Sequence, residues 1–125
     1  MGNYLALVVV YNLLPDDYDD RRIERIEGVI NLSISATNDK WVATGDNMIF
    51  SFPQDPSVKS ASIPVMVEVS LLSLGRDDSI VEKRQAMADR IRKNLISLFK
   101  ENEERGDVIV NVQSEWRHND FSPRE

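Results

Sequence analysis

The sequence predicts an α+β fold of two β-α-β units, with helices covering one face of a four-stranded sheet. Three observations carry this. An apolar run over residues 4–13 is rich in strand-forming residues. Two stretches, about 18–35 and 79–103, carry apolar residues at helical spacing. Alternating segments at 63–72 and 107–113 have the two-residue period of strands. The order is strand, helix, one or two strands, strand, helix, strand, which folds as helices packed on a sheet.

The first strand, about Tyr4 to Leu13, is apolar without alternation from Leu5 to Tyr11. A continuous run of this kind predicts a strand covered on both faces. Pro15 breaks it, and Asp16, Asp17, Asp19 and Asp20 follow at once. Carboxylates placed there cap a helix and oppose the positive end of its dipole. Ile23, Ile26, Ile30 and Ile34 then define one helical face, with Arg21, Arg22, Glu24, Arg25 and Glu27 largely on the other. Gly28 costs this helix about 1 kcal/mol relative to alanine.

Residues 36–46 are turn-rich, with Trp41 and Val42 as a short strand or last helical turn. Met48 to Phe52 reads as a strand ended by Pro53, and Gln54 to Ser62 as a loop. Ile63 to Leu72 is the clearest strand. Val65, Val67, Val69 and Leu71 line the face expected beneath the helices. Met66, Glu68, Ser70 and Leu72 line the other, a mixed face that is either wet or pressed against a partner. Ser79 and Glu82 fit a capping box for the second helix. Its apolar stripe is Ile80, Met87, Ala88, Ile91, Leu95, Leu98 and Phe99. Arg84, Arg90 and Arg92 are expected mostly on the solvent side, and Gly106 suits the helix stop. Asp107 to Gln113 is the last strand. No linker divides the chain, so residues 1–125 are read as one domain, with 114–125 a polar tail. Trp116 and Phe121 in that tail are expected to contact a neighbouring subunit.

Composition narrows the function. The chain of 125 residues is 42% hydrophobic and 29% charged, ordinary globular values that disfavour disorder. There is no cysteine, which excludes disulfides, thiolate metal sites and cysteine nucleophiles. One histidine, His118, excludes a multi-histidine metal site. The net charge of −6 argues against nucleic acid and against anionic membranes as partners. No apolar stretch approaches the ~20 residues of a spanning helix. The first strand lacks the basic leader and cleavage site of a signal peptide, so the cytoplasm is the expected location. No glycine-rich phosphate loop is present, and neither a metal nor a cofactor is expected. The aspartates at 16–20 lack calcium-loop spacing, so capping accounts for them. Ser114, His118 and Asp120 lie in a polar tail unsuited to holding a triad, so His118 is read as a surface residue.

A more specific pattern spans the second half. Ile63-Pro64-Val65-Met66-Val67-Glu68-Val69 leads to Leu71-Leu72, then Gly75-Arg76, a long amphipathic helix and Asp107-Val108-Ile109-Val110. Asp46-Asn47-Met48-Ile49-Phe50-Ser51-Phe52 stands upstream. The chain resembles a small, uncharacterised bacterial branch of the tautomerase superfamily, which includes macrophage migration inhibitory factor and the 4-oxalocrotonate tautomerases. The ferredoxin-like fold is the alternative topology. The resemblance is strongest over 47–113 and implies a homotrimer whose three sheets wrap round an axis, with the Met66, Glu68 and Ser70 face turned inward. It implies two site candidates. Arg76 matches the family's turn arginine and could hold a small carboxylate ligand with its planar fork. Glu68 matches the strand glutamate and is a weak acid-base candidate.

The start of the chain departs from that family. Tautomerases use an N-terminal proline whose amine shuttles a proton. Here Gly2 follows Met1, and no proline occurs before Pro15. The family's proline position falls near Leu5, whose side chain transfers no proton. The leading expectation is therefore an oligomeric tautomerase-like protein without proline-dependent catalysis, binding a small anionic ligand between subunits. The alternatives are an isomerase or tautomerase using Glu68, and a ferredoxin-like dimeric interaction module.

Overall fold

A computed structural model of the chain describes residues 4–36, 48–60, 62–73, 79–100 and 107–116. Four strands and two α-helices occur in the order β1 (Tyr4–Tyr11), α1 (Asp20–Ser35), β2 (Met48–Ser51), β3 (Val65–Ser73), α2 (Ser79–Lys100) and β4 (Val108–Trp116). A 3-10 turn, Pro15–Asp17, sits between β1 and α1. The sheet order is β2-β1-β3-β4. β1 pairs with β2 in parallel, β3 pairs with β4 in parallel, and the central β1–β3 pair is antiparallel.

This topology decides between the two candidate folds. In a ferredoxin-like arrangement each βαβ unit is split by a strand inserted between its two strands. Here each unit's strands are direct neighbours, and the two units join through their first strands. The fold is α+β with two unsplit β-α-β units.

The core lies between the helices and one face of the sheet. Ala6, Val8 and Val10 of β1 meet Val65, Val67, Val69 and Leu71 of β3, with Met48, Val108 and Val112 from the edge strands. Over them pack Ile26, Ile30 and Ile34 of α1 and Met87, Ile91, Leu95, Leu98 and Phe99 of α2. Each large aliphatic side chain removed from water contributes about 1.5–3 kcal/mol. The isoleucine spacing in α1 and the valine alternation in β3 thus fold as their periods predict.

Several boundaries and burials differ from the sequence reading. β1 stops at Tyr11 rather than Leu13, because Asn12 takes a left-handed conformation with φ of 71°. Asparagine tolerates that region better than other residues with a β-carbon. Its side-chain amide donates to Pro64 O at 3.0 Å, tying the end of β1 to the start of β3. β4 extends through Trp116, so Ser114–Trp116 pair with Leu71–Ser73 of β3 and belong to the strand rather than to a tail. Trp41, Val42, Gly106, His118 and Phe121 lie outside the described residues. Ser79, expected to cap α2, is the first residue of the helix itself.

Three arginines expected on the solvent side have structural partners. Arg22 is 9% exposed. Its guanidinium lies 3.5 Å from Asp17 Oδ1 and 5.2 Å from the Phe99 ring centroid. Asp17 also accepts the Leu14 N–H at 2.8 Å, while Asp19 caps α1 by accepting from Arg21 N. Arg90 donates to Ser33 O at 2.8 Å, and Asn94 to Ser33 Oγ at 2.9 Å, which locks α2 to α1. Arg92 donates to Val108 O and to Asp107 Oδ1, clamping α2 to the start of β4.

Candidate functional site

Side chains alternate across a strand, so each strand sends one set to the helices and one set away. The set pointing away is Leu5, Leu7, Val9 and Tyr11 from β1 and Met66, Glu68, Ser70 and Leu72 from β3. All eight are half-buried. On the edge strands it is Ile49 and Ser51 of β2 and Ile109, Asn111, Gln113 and Glu115 of β4, all exposed. Among the described residues no helix covers this face. β1 therefore differs from its sequence reading. Among the described residues the helices cover it on one side only, although its other side is as apolar as a buried strand.

The register arranges this open face in rows. Tyr11, Met66 and Ile109 form one. Ser51, Val9, Glu68 and Asn111 form the next. Ile49, Leu7, Ser70 and Gln113 follow, and then Leu5, Leu72 and Glu115. The face is mainly apolar over β1 and β2 and mainly polar over β3 and β4. A shallow depression of about 220 Å³ opens on it, lined by Leu7, Ser70, Leu72, Gln113 and Glu115 together with Leu71 and Ser114.

Glu68 stands on this face, in the row next to the depression. The Tyr11 hydroxyl donates to Glu68 Oε1 at a long 3.4 Å. The two residues are diagonal neighbours across the β1–β3 pair, within reach for long side chains. Val9 faces Glu68 on β1 and Asn111 faces it on β4. Side by side on the open face, the carboxylate offers hydrogen-bond acceptors and the phenol a hydroxyl. Tyr11 was missed by sequence reasoning, because 57 positions separate it from Glu68 and only the register joins them.

Arg76 lies outside the described residues, in the connection 74–78 between β3 and α2. The aspartates 16–20 are placed as capping predicts for Asp19, while Asp17 turns inward to Arg22. Among the described residues no three of His, Cys, Asp and Glu cluster so as to hold a metal ion, and no helix is long and apolar enough to cross a membrane.

Three ionisable groups outside the open face are perturbed. Burial, and then the charges of Asp17 and Asp55, push the Tyr18 phenol above its ordinary value. Its hydroxyl donates to Pro53 O at 2.7 Å. The Ser57 hydroxyl and backbone N–H lower Asp55, and the Val108 N–H and then Arg92 lower Asp107. All three belong to turns and strand ends.

No protein-family model and no curated protein sequence matches the chain. Solved structures do. MIF2 of Leishmania major superposes with a TM-score of 0.54 at 14% identity, covering 91% of each chain. The macrophage migration inhibitory factor-like protein of Entamoeba histolytica gives 0.54 at 16% identity, covering 98% of this chain and 96% of that one. A fused 4-OT described as an asymmetric trimer gives 0.55 at 12% identity, covering 90% of this chain and 87% of the other. The fold is thus tautomerase-like, the one shared by these three proteins.

Proposed function

We propose that this chain is a tautomerase-superfamily protein that works as a ring of identical subunits, a homotrimer, and binds a small anionic ligand where subunits meet. The observation that carries the proposal is the open sheet face. The run Leu5 to Tyr11 reads as a strand buried on both sides, yet one side lacks a cover among the described residues. A second copy supplies it. A trimeric protein of the same fold, the fused 4-OT, supports that assembly. The polarity of the face favours a ring over a flat face-to-face dimer. A dimer of that kind would bury Glu68, Asn111 and Gln113 along with the leucines, and a buried carboxylate without a cation is costly. A ring leaves the polar half of each face wet.

This reading does not draw on the chemistry of the family's terminal proline. β1 opens on Tyr4-Leu5-Ala6, with Met1-Gly2-Asn3 in front of it, and none of these is a proline. The ligand is a small carboxylate, with Arg76 as the group that pairs with it. Small carboxylates should raise the melting temperature of the native protein and not of Arg76→Ala, since a ligand that binds only the native state stabilises it. Equal shifts in both proteins would remove Arg76 from the site, and no shift in either would remove the ligand.

A second reading rests on the Tyr11–Glu68 contact. In it the protein is an isomerase, with Glu68 moving a proton between carbon atoms of an enolisable acid. Glu68→Gln would then abolish turnover of an enolpyruvate while the far-ultraviolet spectrum stays native. Full activity in that variant would reject the assignment.

A further inference from the structure

A cleft of about 340 Å³ opens where the chain leaves β1, lined by Leu13, Pro15, Tyr18, Gln54, Asp55 and Pro56. Leu13 belongs to the core and Tyr18 packs against it, so the apolar walls continue from the interior. The cleft stands apart from the connection that carries Arg76. It follows the end of β1, which pairs with the start of β3, whereas that connection follows the end of β3.

Its walls are tied together. The Tyr18 hydroxyl donates to Pro53 O at 2.7 Å, which joins the turn before α1 to the loop after β2. Asp55 O accepts the Val58 N–H at 3.0 Å, and Val58 is buried, so the loop is pinned on its far side. The rings of Pro15 and Pro56 fix their own backbone. Asp55 Oδ1 accepts the Ser57 N–H at 2.9 Å and the Ser57 hydroxyl at 2.7 Å. Among the described residues Asp55 Oδ2 accepts no hydrogen bond, and Asp55 has no ion-pair partner. Asp17, next to Tyr18 in the chain, is by contrast paired with Arg22. The cleft thus combines apolar walls with one fixed carboxylate oxygen that lacks a cation.

We propose that this cleft binds a small organic cation, a primary ammonium group carried on an aromatic body. The ammonium pairs with Asp55 Oδ2 and donates to the Tyr18 oxygen, which can accept while its own hydrogen goes to Pro53. The aromatic body lies among Leu13, Pro15, Pro56 and the Tyr18 ring. Charge chooses the sign of the ligand. After burial, the charges of Asp17 and Asp55 are what raise the Tyr18 phenol, so the potential at its oxygen favours a cation. A metal ion fits poorly, because among the described residues no three of His, Cys, Asp and Glu converge. The volume is that of a site for a small molecule. This inference goes beyond the function proposed above and does not depend on it.

Phenethylammonium, which is protonated at neutral pH, is the probe. Titrated into the full chain and followed by amide NMR, it should bind with a Kd of about 1 mM or tighter. The shifts should centre on the amides of Tyr18, Asp55 and Val58. Asp55→Asn keeps an oxygen for Ser57 and removes the charge, so it should weaken binding by about tenfold or more. Circular dichroism checks that the variant is folded. Two further ligands test the site without any variant. Phenylpropionate offers the same ring with the opposite charge, and methylammonium offers the charge without the ring. Each should bind at least about tenfold more weakly than the probe. Absence of saturable binding, shifts centred elsewhere, or equal affinity in folded Asp55→Asn would overturn the site. Equal affinity for phenylpropionate would overturn the cation preference, and equal affinity for methylammonium the role of the apolar walls. None of these results bears on the oligomer or on Arg76.

Discussion

Replacing Asp17 by alanine should destabilise the fold far more than its place in a surface turn implies. Asp17 is 3% exposed and Arg22 is 9% exposed. Their closest approach is 3.5 Å, and Asp17 also accepts the Leu14 N–H at 2.8 Å. Arg22 Nη1 is buried without a hydrogen-bond partner among the described residues, so this cation is already under-satisfied. Removing the carboxylate leaves a buried guanidinium against the Phe99 ring, with no other ion-pair partner among the described residues. Breaking a buried pair from one side costs about 3–5 kcal/mol. That is a large part of the ~5–15 kcal/mol that holds a domain folded. Losing an acceptor for the Leu14 N–H belongs within that figure, and Asp17→Asn separates the two effects by keeping an acceptor oxygen. The double variant Asp17→Asn/Arg22→Met removes both charges and keeps an apolar stem over Phe99. It should lie within about 2 kcal/mol of wild type, because no charge is then left buried without its partner. Urea unfolding at one fixed protein concentration, with unchanged slopes, gives the comparison. If Asp17→Ala costs less than about 0.5 kcal/mol, as a surface change does, or if the double variant shows the sum of its single costs, the reasoning about Arg22 is wrong.

Gly28 lies within α1, and a β-carbon built there meets nothing within 4 Å. Gly28→Ala should therefore stabilise the protein by up to about 1 kcal/mol, and a lower melting temperature would contradict this. Ile91→Ala, which truncates a fully buried side chain of α2, should cost about 2–5 kcal/mol in the same urea assay. A cost under 1 kcal/mol would mean that this part of the core is not packed as described. Asp107 is lowered in the fold, so its contribution is present above the ordinary carboxylate range and is lost as pH falls through the lower folded value. Asp107→Asn should flatten that acid limb of the stability profile, and an unchanged limb would remove Asp107 from it. Tyr18 has the opposite sign. Its value is raised, so its contribution is complete below the ordinary tyrosine value and is lost as pH rises through the folded one. Tyr18→Phe should remove that alkaline loss, and an equal loss in the variant would assign it elsewhere.

Much of the fold was legible in the residues because its elements are driven by local period. Ile26, Ile30 and Ile34 mark a helix face, and Val65, Val67 and Val69 mark a strand face, whatever surrounds them. The same rule, pressed further, would have found Arg22, which stands four residues before Ile26 and so shares the isoleucine face. Charge hid it. Arginine is read as solvent-facing by default, and only Asp17 and Phe99 make its burial tolerable. The extension of β4 to Trp116 was hidden by composition, since Gln113-Ser114-Glu115 is polar and takes its strand state from pairing with β3. The candidate site was legible in part. Glu68 and the mixed character of its face follow from alternation along one strand. Tyr11 does not, because its place beside Glu68 depends on the β1–β3 register.

The native mass in solution bears most directly on this account, since the ring and the inter-subunit ligand site both depend on it. Light scattering on a sizing column should give about three times the chain mass of 14.3 kDa. A mass of one chain, held across the concentration range, would contradict the ring and leave the open face of the sheet to water.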